Sequence, residues 1–221
     1  MPDSLSSRLR QETRAAHTGA ERSSIMRSLL AGTLPRASYI ALLANLFGVY
    51  SALEDELLRN IRHPALAPIW HSELLRVPSL SRDLSALSAS QWVDGFLPAE
   101  PAVRYAARIR EVGASAPWRL VGHGYTRYLG DLSGGQILKP PTSPQPGAPP
   151  SAPFYDLPGY RDLDQFKRQY RTSLDELPLD ASQQDAVVAE SLIAFRLNGE
   201  LFEALEVWAG DSALETQSDG G

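Results

Sequence analysis

The sequence predicts an all-α protein organised as one domain. Three observations carry that prediction. Apolar residues recur at steps of three and four along most of the chain, the period-two alternation of a half-buried strand is nearly absent, and 221 residues suffice for one well-filled core but are short for two. In chain order, helical patterns cover Ser4–Ala16 and Ala20–Leu30. From Tyr39 onward, Leu42, Leu43, Leu46, Tyr50, Leu53 and Leu57 form one face of a long amphipathic helix. Thr33 is placed to cap it, and Pro35 fits its first turn, where a missing N–H costs nothing. Further helices are expected near Ser81–Ala86, Ala102–Gly113, Pro117–Lys139 and Arg161–Glu176. Asp180 with Gln183 three residues on reads as a capping box, opening a last helix whose apolar face (Val188, Leu192, Phe195, Phe202, Leu205) reaches about Trp208.

Between Pro140 and Pro158 lie 8 of the 17 prolines, a density no helix tolerates. The sixty or so residues beyond supply only two convincing helices, so this stretch reads as a long connection inside one fold. The expected domain is therefore residues 1–209, with 140–158 as a proline-rich loop within it and 210–221 as a polar, disordered tail.

Composition narrows the function. With 26 acidic against 21 basic residues the formal net charge is −5, which disfavours a general nucleic-acid binder. There is no cysteine, so disulfides, Cys-ligated zinc and thiolate-held clusters are excluded. No Glu-x-x-His, HExxH, GxSxG or GxxxxGK occurs, which removes the ferritin-like di-iron, zincin, serine-hydrolase and P-loop signatures. The polar N-terminus has no signal-peptide core and no run of about 18 apolar residues is present, so the expectation is a cytoplasmic protein without a membrane anchor.

The stretch most able to carry chemistry is Tyr125–Gln136, YTRYLGDLSGGQ. It lies in an apolar helical pattern yet holds Gly130, Gly134 and Gly135, which together cost roughly 2–3 kcal/mol of helix propensity relative to alanine. Gly130 and Gly134 are four apart, so both bare patches share a face, and a helix that keeps them needs a kink or a close approach of backbone to something flat. Asp131 sits in that strip with Arg127 one turn before it, and a carboxylate among apolar residues must be paired, hydrogen-bonded or water-linked. A purely structural alternative is a tight helix crossing at the glycines with Asp131 paired to Arg127. Among four histidines, His63 precedes a proline in a turn, His71 lies in an irregular loop beside Trp70, and His123 suits a structural role. His17 differs, because Glu21 four residues on can orient the imidazole, as a carboxylate does behind a metal-ligating histidine.

On these residues the sequence resembles the haem oxygenases. YTRYLGDLSGGQ matches that family's distal-helix signature, and the likeness extends through ETRAAHTGAE around His17, YSALEDELLRN from Tyr50, FKRQYR from Phe166 and FRLNGELFEALE from Phe195. It covers roughly residues 5–209, and the departure is at Lys139–Tyr160, where Pro140 and Pro141 cut the distal helix short. The resemblance implies a single all-α domain that clamps haem between a proximal and a distal helix. It makes His17 the axial ligand of the haem iron and Glu21 its partner. Gly130, Gly134 and Gly135 would bend the distal helix across the macrocycle, and Asp131 would organise a water network with Tyr50 and Arg127. Arg10, Tyr125, Lys167 and Arg171 would meet the propionates, Thr126 would contact the cofactor, and Met26 and Phe195 would supply apolar wall.

The implied reaction is oxidation of haem by O₂ and external electrons to biliverdin, ferrous iron and carbon monoxide. Imidazole suits it better than thiolate, which pushes electron density toward O–O cleavage. The implied partners are haem and a separate electron donor (a ferredoxin, a flavodoxin or a reductase), with no nucleic acid, for a monomer; Arg110, Arg119, Arg127 and Arg168 are candidates for the donor's landing surface. Two rival classes are a haem carrier or sensor that leaves its ligand intact and an all-α interaction protein with no cofactor.

Overall fold

The computed structural model describes residues 4–87, 96–133, 154 and 162–218, with side chains as far as Glu206. Its centre is α4 (Arg36–Arg59), in which Tyr39, Leu42, Leu43, Leu46, Tyr50, Leu53 and Leu57 are all buried along the expected stripe. Each such side chain removed from water contributes about 1.5–3 kcal/mol before ordering entropy is subtracted. Against α4 pack α5 (Val77–Leu87) and α6 (Glu100–Ser115), and α10 (Ala181–Ser218) crosses α6, α4 and α2 (Arg14–Glu21). Among the described residues every regular element is helical. By length and composition α4 is apolar enough to cross a membrane, with a mean hydropathy of 1.2, yet 72% of that window is buried inside the protein, as in a core helix.

Several boundaries differ from those expected. The first two helical patterns resolve into three helices, α1 (Leu5–Glu12), α2 and α3 (Ser24–Leu30). Thr13 makes the first break by turning its hydroxyl back to the carbonyl of Leu9 at 2.6 Å. Gly19 does not end α2, so His17 lies mid-helix with Glu21 one turn on. The cap of α4 also differs. Pro35 occupies the cap position without a side-chain acceptor, and Thr33 instead donates to the carbonyl of Ser28 at 3.3 Å.

The N-terminus of α5 lies four residues before the expected Ser81, because Glu54 on α4 accepts from the backbone N–H groups of Arg76 (2.5 Å) and Val77 (3.2 Å). That contact between elements replaces a local cap and is invisible to sequence periodicity. The Asp180 capping box forms in both directions, Gln183 N to Asp180 Oδ1 at 2.9 Å and Asp180 N to Gln183 Oε1 at 3.0 Å. Helix α10 continues to Ser218, past the end expected near Trp208 and into the segment expected to be disordered. No proline interrupts 209–218, and Ala213, Leu214, Glu215 and Gln217 are good helix formers. The expected loop 140–158 lies outside the described residues apart from Phe154.

Candidate functional site

The glycine-rich stretch is one helical run of changing pitch. After a 3₁₀ turn at Pro117–Arg119, α7 (Leu120–Gly124) passes into a π-helical turn, Tyr125–Leu129, and then α8 (Gly130–Ser133). The bend expected from glycine thus takes the form of a π turn bounded by Gly124 and Gly130, a distortion often found where a helix meets a ligand. A methyl added at Gly130 would meet nothing within 4 Å, so this glycine faces open space. The helix crossing offered as the alternative is built elsewhere, at Gly122, where an added Cβ would lie 2.8 Å from the carbonyl of Val187 on α10. Gly134 and Gly135 lie outside the described residues.

The space before Gly130 is a cavity of about 760 Å³. Arg10, Thr13, Arg14, His17 and Thr18 line it from α1, α2 and the residue between them, and Tyr125, Thr126, Leu129 and Gly130 line it from the glycine-rich run. Arg171 of α9 (Leu163–Asp175) and Phe195 of α10 also line it, with Ser7, Gln11 and Ser133 at its edge. The His17 side chain is 49% exposed, and its Nδ1 stands 3.6 Å from Glu21 Oε2, within ion-pair range and beyond a good hydrogen bond. Phe195 meets the imidazole edge-on, with ring centroids 5.9 Å apart. Burial raises the Tyr125 phenol, while Thr13 and the charges of Arg171 and Arg10 oppose that shift, which places both guanidinium groups in range of one phenol at the cavity.

Behind Gly130 lies a buried polar network. Tyr50 donates to Asp131 Oδ2 at 2.5 Å, Arg127 Nη2 donates to Tyr50 at 3.0 Å, and Arg127 Nη1 donates to Asn198 Oδ1 at 2.6 Å. Arg127 therefore reaches Asp131 through Tyr50, where the structural alternative expected direct pairing, because its fork is occupied by the phenol and by Asn198. Burial raises the Asp131 carboxyl above the usual carboxylate range, while Arg127, the Tyr50 hydrogen bond and Arg76 draw it down. Burial also holds the Tyr50 phenol well above its ordinary value. Among the described residues the buried Nε of Arg127 and the hydroxyls of Tyr105 and Tyr128 have no hydrogen-bond partner, the kind of group that ordered water satisfies.

Not every expected residue comes to this site. Lys167 pairs with Asp164 at 2.6 Å, one turn earlier on α9, and is absent from the cavity lining. Met26 packs against the hydrophobic core from α3. Asp131 and Tyr50 stand behind the lining, and Glu21 reaches it through His17. His123 is structural as expected, fully buried with Nε2 3.0 Å from Glu190 Oε1. Burial lowers its imidazole, so it donates as a neutral ring, whereas hydrogen bonds from His123 and Arg108 outweigh burial and hold Glu190 at about 2. Arg127 is buried and so stands apart from a docking surface of exposed arginines, while Arg119, with its side chain 28% exposed, pairs with Glu190.

Sequence reasoning missed Asn198, Thr13 and Leu129. Asn198 had a signal, since it stands one helical turn after Phe195 on the same face. Thr13 had only a weak one, the tendency of a threonine hydroxyl to bond back to the carbonyl four residues earlier.

Comparison with known proteins agrees with this geometry. The family model described as "Heme oxygenase" matches residues 3–204. The chain is 44% identical over 208 residues to a heme oxygenase of the red alga Pyropia yezoensis, covering 93% of this chain and 87% of that protein. It is 38% identical over 208 residues to heme oxygenase 1 of the cyanobacterium Nostoc sp., covering 93% and 87%. Its fold is similar to the crystal structure of heme oxygenase-1 from Synechocystis sp. in complex with heme, with a TM-score of 0.88 and 35% identity, over 98% of this chain and 99% of that one.

Proposed function

The chain belongs to the haem oxygenase family, a haem-degrading oxygenase, and from that premise we propose how its own residues bind haem and direct its cleavage to biliverdin, ferrous iron and carbon monoxide. One observation carries the reading. His17 and the bare backbone of Gly130 line the same 760 Å³ cavity from different helices, with Arg10 and Arg171 at the same space. Those groups fit a flat, dianionic iron macrocycle: a neutral nitrogen donor, a wall without side-chain bulk, and guanidinium groups suited to carboxylates.

His17 would hold the iron, and Glu21 would set the orientation of its ring, through a contact that must tighten from 3.6 Å to become a hydrogen bond. Bound there, haem supplies the redox-active iron and is itself the substrate, with O₂ and electrons from a separate ferredoxin-, flavodoxin- or reductase-type donor completing the reaction. Arg10 and Arg171 would anchor the propionates and so set how the macrocycle is oriented in the cavity. Phe195 limits the imidazole's swing. The lack of a side chain at Gly130, where an added methyl would meet nothing within 4 Å, would leave room for oxygen at that wall.

Asp131 handles the proton. Its carboxylate accepts from Tyr50, whose oxygen accepts from Arg127, so the carboxylate is held at one point beside the cavity and can hold a water next to Gly130. A water so held delivers a proton gently, whereas a strong acid in direct contact would favour unproductive O–O cleavage. Aerobic incubation of the haem complex with ascorbate or a reductase tests the reading. A growing bilin band is the expected result, and a stable Soret band would indicate a carrier.

A further inference from the structure

Two buried charges lie outside the cavity lining. Arg76 and Asp83 are each 3% exposed, one immediately before α5 and the other within it. Both bond the backbone of the same residue. Arg76 Nη1 donates to the carbonyl of Phe154 at 3.1 Å, and the N–H of Phe154 donates to Asp83 Oδ2 at 2.9 Å. Arg76 is itself oriented by the carbonyls of Leu74 (2.9 Å) and Glu73 (2.8 Å), and its own N–H is taken by Glu54 at 2.5 Å. Phe154 is 1% exposed, and its ring stands edge-on to Tyr50 with centroids 5.9 Å apart.

We propose that Phe154, held through its backbone by Arg76 and Asp83, is a positioning residue that seals and orients the Tyr50–Asp131 pair against water from the α5 side. This rests on the reading of Tyr50 and Asp131 as the proton-handling pair. Packing alone would not call for two buried charges, whose desolvation is costly and is recovered only through well-made hydrogen bonds. The same charges make the ring necessary. A void left by the ring would open beside Tyr50, next to the backbone that the Arg76 guanidinium and the Asp83 carboxylate hold, and a void with polar groups at hand fills with water. Water there would compete for the Tyr50 hydroxyl and loosen the single contact that fixes Asp131. Arg76 lies close enough to Asp131 to act on its charge, so void and proton donor share one local environment.

The test uses the full chain reconstituted with haem and compares wild type, Phe154→Ala and Phe154→Leu. Three quantities are read: the pH midpoint of the ferric-haem spectrum, which needs no turnover, the biliverdin formed per haem consumed, and the thermal midpoint. Phe154→Ala should move the spectral midpoint and lower the biliverdin yield about threefold or more, and Phe154→Leu should restore both. In a Tyr50→Phe background the effect of Phe154→Ala on the spectral midpoint should vanish, since the two act through one contact. A variant that loses thermal stability while keeping the wild-type midpoint and yield would overturn the proposal, as would an undiminished effect in the Tyr50→Phe background. If Phe154→Ala does not fold, Asp83→Asn keeps the ring and weakens its hold. It should then shift the spectral midpoint in the same direction, and no shift would count against the seal. Failure of the functional reading is separable, because wild type itself would then form no bilin.

Discussion

The two walls of the cavity are built in opposite ways. On the α1–α2 wall the side chains of His17 and Glu21 are 49% and 61% exposed and stand 3.6 Å apart, held only by helical spacing. On the other wall Tyr50, Arg127 and Asn198 are buried and joined by hydrogen bonds of 2.6 and 3.0 Å to groups on three helical segments. The difference teaches where the site is organised before ligand arrives. A buried, hydrogen-bonded network is preorganised and cannot relax cheaply, so it suits the step that must place a proton. An exposed imidazole can adjust to an incoming ring, and its orientation is completed by what it binds.

Substitutions can break that contrast or sharpen it. The largest effect is expected at His17. His17→Ala should remove the axial-ligand spectrum and reduce biliverdin formation by about a hundredfold or more, because nothing buried stands ready to replace it. An unchanged ferric spectrum would remove His17 from the site. Asp131→Ala should keep haem bound with its His17 spectrum while diverting turnover to peroxidase-like products, with a loss of biliverdin on the order of a hundredfold. Wild-type biliverdin rates in that variant would end the proton role.

A smaller, paired effect separates two basic residues of α9. Arg171→Glu should raise the haem dissociation constant by about tenfold or shift the biliverdin isomer, since Arg171 lines the cavity with its charge near Tyr125. Lys167→Glu should do much less, because Lys167 is committed to Asp164. Equal effects in a haem titration would show that the Lys167–Asp164 pair opens on binding.

The smallest effect concerns stability rather than turnover. Burial pushes Glu54 up to about 7, against the pull of the Arg76 and Val77 N–H groups. The folded protein therefore holds a proton that the unfolded chain releases near pH 4.5, the ordinary value for this carboxyl. Between those values the native state binds more protons, so this contribution is complete below pH 4.5 and is lost as pH rises to about 7. Its size is on the order of 3 kcal/mol. Glu54→Gln, which mimics the protonated acid, should flatten the fall in urea-measured stability across that window. An unchanged slope would mean that Glu54 is already ionised in the folded state.

Much of this molecule was legible before any coordinates. The stripe from Tyr39 to Leu57 and the Asp180–Gln183 capping box depend on residues close together in sequence, and both form; YTRYLGDLSGGQ departs from regular α-helix at Tyr125–Leu129, while Gly134 and Gly135 lie outside the described residues. His17 with Glu21 was legible for the same reason, since i and i+4 meet wherever the backbone stays helical. Lys167 and Met26 were placed at the cavity by resemblance alone, and an ion pair one turn away and a core contact hold them elsewhere.

The order of elements, the apolar faces and the location of the chemistry thus follow from sequence, because periodicity, capping and glycine's missing side chain act over one or two helical turns. The joining of Arg127 to Asp131 by way of Tyr50 was decided by the tertiary structure, as were the start of α5 on Glu54 and the choice of Gly122, not Gly130, for the tight helix crossing. Each is a contact between residues far apart in the chain. Its free energy exists only once the helices have packed and water has been excluded, so no local pattern records it.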